Sequence, residues 1–112
     1  MRASLARSLV LDPELFLFDE PFGALDLITR GRLNVELMQL YTSKKFTSLF
    51  VTHSVEEALF LSSRVFVFSG RPGKIKGEFK VPFDYPRDPK IRYSSVFAKL
   101  SGKVGKILED YL

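Results

Sequence analysis

Short apolar runs alternate with helical stripes along this chain. Leu15-Phe16-Leu17-Phe18 leads without polar alternation into Asp19-Glu20-Pro21. A run this short predicts a strand buried on both faces, as in a parallel sheet. Thr47–Thr52, centred on Leu49, Phe50 and Val51, predicts a second strand. Arg64–Ser69, carrying Val65, Phe66, Val67 and Phe68, predicts a third. Before the first of these, residues 2–11 place Leu5, Leu9 and Val10 on one helical face, ended by Asp12-Pro13. Between the first two, Leu33, Leu37, Leu40 and Tyr41 form the stripe of a helix over roughly 27–41, with Asp26 as its N-cap. After the second, Ser54 and Glu57 have capping-box spacing and open a helix through about Leu61.

Beyond the third strand, Gly70-Arg71-Pro72-Gly73 is a turn. Ile75–Val81 alternates weakly and suits an antiparallel edge strand. Pro82, Pro86 and Pro89 mark an irregular connection. A final helix from about Ser94 carries Phe97, Leu100, Val104, Ile107, Leu108 and Tyr111 on one stripe.

Strands alternating with helices predict right-handed crossovers and an α/β fold. The expectation is about three parallel strands plus one edge strand, flanking helices and a C-terminal helix. Two parts are expected: residues 1–81 as the α/β portion, and 82–112 as an extension with an amphipathic helix.

Composition narrows the function. The 112 residues carry a net charge of +4, spread along the chain rather than gathered into a basic stripe, which argues against nucleic acid. Cysteine is absent, so disulfides and thiolate metal sites are excluded. No run reaches the ~20 apolar residues of a membrane span.

The candidate chemistry gathers at strand ends. Ligands of open parallel sheets sit outside the carboxyl ends of the strands, where Asp19 and Glu20 lie. A strand-end aspartate suits a hydrated Mg²⁺, and a neighbouring glutamate suits a general base. Solvated strand-end carboxylates are the plain alternative. His53, the only histidine, follows the second strand on the same sheet edge, where an imidazole can donate to a phosphate oxygen or to Glu20. A structural histidine is its plain alternative. Asp26, Ser54 and Glu57 are explained by capping alone.

Together these residues resemble the C-terminal half of an ABC transporter ATP-binding subunit, which carries a P-loop NTPase-type sheet. Leu15–Pro21 looks like its Walker B strand and following glutamate. Gly23-Ala24-Leu25-Asp26 looks like its D-loop, and Val51-Thr52-His53 its switch-histidine segment. Arg2–Leu9 looks like the helix after its signature motif. Pro21–Asp26, Ser69–Ile75 and Tyr85-Pro86-Arg87-Asp88-Pro89 are most similar to nitrate, sulfonate and taurine importers. The resemblance covers residues 2–81 closely and the tail more loosely.

The resemblance implies ATP and Mg²⁺ as cofactors. It casts Asp19 as the metal residue, holding Mg²⁺ through water, and Glu20 as the base. His53 contacts the γ-phosphate as the second catalytic residue, and Asp26 reaches the partner nucleotide domain. It further implies a transmembrane permease, a second nucleotide-binding domain as dimer partner, indirect contact with a solute-binding protein, and a cytoplasmic place on the inner face of the plasma membrane. The sequence departs from the family in lacking G-x-x-x-x-G-K-S/T, the signature motif and the glutamine loop. The expectation is therefore a fragment of an ATP-hydrolysing importer subunit, inactive alone, with a non-catalytic remnant acting as an interaction module as the alternative.

Overall fold

The computed structural model describes residues 15–70 and 73–110. The helix expected over 2–11 and the stripe residue Tyr111 lie outside the described residues. The elements run β1 (Leu15–Asp19), α1 (Leu27–Lys44), β2 (Thr47–Val51), α2 (Val55–Leu61), β3 (Arg64–Phe68), β4 (Ile75–Lys80), a 3₁₀ turn (Pro89–Tyr93) and α3 (Ser95–Asp110). The α/β class and the C-terminal helix are as expected.

Local chemistry fixes the helix ends. Asp26 accepts from the Thr29 amide at 2.8 Å and from its hydroxyl at 3.0 Å, so α1 starts on a doubly bonded cap. These bonds hold the Asp26 carboxyl below the usual aspartate value. At the far end Lys45 adopts φ 51° and returns its N–H to the Tyr41 carbonyl, which closes the helix. Ser54 caps α2 by accepting from the Glu57 amide at 3.2 Å.

The strands separate into two pairs. β1 and β2 lie parallel, with Phe16 opposite Ser48 and Asp19 opposite Val51. β3 does not join them. It pairs antiparallel with β4, Val65 opposite Phe79. The expected antiparallel edge strand is thus present, but among the described residues the parallel sheet has two strands rather than three. The short connection after Phe68 favours the local partner, because its loop closure is cheap. The Ser69 N–H to Lys74 carbonyl bond of 2.8 Å pins that turn.

Burial of β1 on both faces is also corrected. Phe16 is buried, but Leu15 and Leu17 are 61% and 68% exposed. Helix α1 covers one face of the β1–β2 pair, where Phe18 and Phe50 pack with Phe22, Leu33 and Leu37. No second layer covers the opposite face among the described residues, so Leu49 and Val51 stay exposed there, as do Phe66 and Phe68 on β3.

The larger core is built elsewhere. Leu59 and Phe60 of α2 are fully buried among Met38, Val65, Val67, Val81, Phe97 and Val104, with Phe83, Tyr85 and Ile91 packed around them. Residues 81–108 therefore share one core with α2 and β3.

Tyr85 is desolvated in this core, which raises its hydroxyl above the ordinary tyrosine value. The folded state thus favours the neutral phenol. Its stabilisation is complete below the ordinary value near pH ~10 and is lost as pH rises through the higher folded value. Tyr85→Phe is expected to remove one late step from the tyrosinate absorbance titration and to flatten alkaline unfolding. An unchanged alkaline profile would show that Tyr85 is not the group responsible.

Candidate functional site

The site forms where β1 and β2 end side by side. The Glu20 amide donates to the Val51 carbonyl at 2.8 Å, extending the parallel ladder one residue past Asp19. Glu20 then turns the chain with φ 46°. A left-handed conformation costs a non-glycine residue of order 1 kcal/mol. Its carbonyl accepts from the Gly23 amide at 3.2 Å, which tightens the turn through Pro21 and Phe22.

This turn brings the Glu20 carboxylate to His53. Glu20 Oε1 accepts the His53 backbone N–H at 3.2 Å, and His53 Nε2 lies 3.2 Å from the same oxygen. The imidazole is 89% exposed and the carboxylate side chain 39%. The two groups therefore lie at the open rim of a pocket of about 300 Å³, lined by Glu20, Gly23, Arg30, His53 and Ser54.

The sequence-predicted residues do not all converge. Glu20 and His53 are in contact. Asp19 ends β1 and is exposed, outside the pocket lining. Asp26 is exposed at the start of α1, its carboxylate committed to Thr29. Among the described residues, no three His, Asp or Glu side chains gather as a metal site.

Two features were missed. Glu57 does not complete a capping box. The Ser54 amide instead donates to Thr52 Oγ1 at 3.0 Å, and the Glu57 side chain, 2% exposed, takes Arg30 Nη2 at 3.3 Å on both oxygens. The spacing was right for a reciprocal cap, but α1 offers a cation in a drier place. The second is Arg87, buried against the end of α2. A charged residue on an otherwise apolar helical face was the available signal for Glu57. For Arg87 the only signal was its place in a proline-rich tail.

A strand-end glutamate, a histidine just past the neighbouring parallel strand and a helix-capping aspartate lie on successive βα units of an α/β fold that is consistent with part of an NTPase-type sheet. By homology the chain is a C-terminal part of the ABC transporter ATP-binding proteins. It is 47% identical over 109 residues to an uncharacterized ABC transporter ATP-binding protein of Methanocaldococcus jannaschii, covering 97% of this chain and 40% of that protein. It is 42% identical over 103 residues to the aliphatic sulfonates import ATP-binding protein SsuB of Bacillus cereus, covering 92% of this chain and 40% of SsuB. The chain thus spans about two-fifths of the length of these relatives. No protein-family model matches it.

Proposed function

We propose that this segment is the hydrolytic half of the ATP-binding subunit of an ABC importer for a small anionic solute of the sulfonate, nitrate or taurine kind. The observation that carries the reading is the Glu20–His53 contact at the shared ends of two parallel strands. The SsuB similarity supports the solute class.

The residues fit a nucleotide better than a self-contained metal site. Mg²⁺ keeps several waters and binds few carboxylates alongside phosphate oxygens, so one exposed aspartate suffices for it. Asp19 would be that residue, holding the ion through water. ATP with Mg²⁺ supplies the phosphoryl group that is cleaved. Glu20 holds the water proton on its carboxylate as general base. His53 would donate an imidazole N–H to a terminal phosphate oxygen, while its backbone N–H keeps Glu20 Oε1 in place. Asp26 lies at the start of α1, where a second nucleotide-binding domain would meet it.

The apolar face of β1–β2 that no described residue covers supports a larger unit, because large apolar patches on soluble proteins mark interaction surfaces. The remaining three-fifths of the relatives' length would cover it and bring the phosphate loop. Partners are a transmembrane permease, a second nucleotide domain and, indirectly, a solute-binding protein, at the cytoplasmic face of the membrane. No helix among the described residues is long and apolar enough to cross a membrane.

A chimera tests this reading: the preceding part of Bacillus cereus SsuB joined to residues 1–112 in place of its own C-terminal part. The chimera is expected to bind and hydrolyse ATP. A folded chimera that binds ATP but never turns it over would leave only the non-catalytic role.

A further inference from the structure

Helix α2 has seven residues, Val55–Leu61, and follows directly on His53 and its cap Ser54. A helix this short is marginal by itself. Its last carbonyls lack partners within the helix, as at any helix C-terminus. The Ala58 carbonyl accepts from the Ser62 amide at 3.0 Å. The next four carbonyls, those of Leu59, Phe60, Leu61 and Ser62, are all taken by two residues of the tail.

The two N–H groups of Arg87 Nη1 are shared among the carbonyls of Leu59 at 3.1 Å, Phe60 at 2.8 Å and Ser62 at 2.8 Å. The Tyr85 hydroxyl donates to Leu61 at 2.6 Å. The other edge of the guanidinium is anchored on the tail itself: Nε and Nη2 donate to the Phe83 carbonyl at 3.2 and 2.9 Å. Its Cζ lies 4.1 Å from the centre of the Tyr85 ring. Arg87 is 3% exposed. A cation at a helix C-terminus is favoured by the helix dipole, most of all away from solvent. Further along the tail, Arg92 stacks on Phe60 at 4.2 Å and pairs with Glu56 at 3.3 Å.

We infer that Arg87 is a positioning residue for His53: with Tyr85 it fixes the C-terminal end of α2, and the helix transmits that placement to the imidazole at its other end. The distance to be bridged is about 10 Å, two turns of helix. The opposite end is held by Ser54 and by the Glu57–Arg30 pair, so α2 is a rod clamped at both ends. The tail, residues 83–92, thereby acquires a role at the rim of the pocket without touching it. The importance of this role for hydrolysis rests on the nucleotide reading above.

The test needs no nucleotide, so its failure leaves that reading standing. His53 is the only histidine, and its imidazole yields one proton–nitrogen signal set. In Arg87→Met, the His53 imidazole and amide signals are expected to shift and broaden. Exchange of the Ala58 and Ser62 amides is expected to quicken by at least about tenfold, since bonds to a charged group are among the stronger ones. The Glu20 and Arg30 amides, on the other side of the pocket, should stay within about twofold of the parent chain, as sites outside the affected unit do.

Arg87→Lys, which keeps the charge but reaches fewer carbonyls, should fall between the two. It is read in the same way where the methionine variant does not fold. Unmoved His53 signals would overturn the inference. So would equal acceleration of every amide, or loss of the fold in both variants, because each makes Arg87 a residue of the general core.

Discussion

Glu20→Gln in the chimera is expected to leave ATP binding intact and to lower turnover by about a hundredfold or more, the usual loss on removing a general base. The substitution is nearly isosteric. A glutamine carbonyl still accepts the His53 backbone N–H, which now bonds to Oε1 at 3.2 Å, so the turn and the imidazole keep their places. What is lost is the charge and the capacity to take a proton. Binding and chemistry therefore separate, which a disruptive substitution would not allow. Nucleotide affinity and steady-state phosphate release give the two readouts. Turnover near that of the parent chimera would remove Glu20 from the role of base and leave it a structural partner of His53.

The second large effect concerns the pair between α1 and α2. Removing Arg30 as Arg30→Met leaves the Glu57 carboxylate, 2% exposed, with no cation. Breaking one partner of a buried pair costs about 3–5 kcal/mol. Arg30 is itself 22% exposed and can turn to solvent, so Glu57→Gln should cost less, about 1–2 kcal/mol, the penalty of an imperfectly satisfied buried polar group. The double variant should be more stable than Arg30→Met alone, because it no longer buries an unpaired charge. Urea unfolding of the four proteins measures the cycle. A cost below ~1 kcal/mol for Arg30→Met would mean that the pair is as weak as a surface ion pair. The same substitutions bear on the site, since Arg30 lines the pocket that Glu20 and His53 share.

Much of the molecule was legible in the residues alone, because much of it is decided locally. Apolar runs of three or four residues fixed β1, β2 and β3 to within a residue or two. The caps at Asp26 and Ser54 formed as their side chains require, since a cap depends only on residues three positions away. The weak alternation of Ile75–Val81 correctly marked an antiparallel strand, because its partner is next in the chain.

What needed the tertiary structure was every partnership across a long stretch of chain. The pattern of β3 is equally compatible with a parallel or an antiparallel neighbour, and only the folded chain put it with β4. Burial of β1 on one face rather than two depends on which layers are present, not on the strand itself. Glu57 met Arg30 across 27 positions, Arg87 met the end of α2 across as many as 28, and Glu20 met His53 across 33. Periodicity and spacing report only how a residue faces its near neighbours. Which charge is buried against which carbonyl is set when distant helices and strands close on one another, and there the sequence is silent.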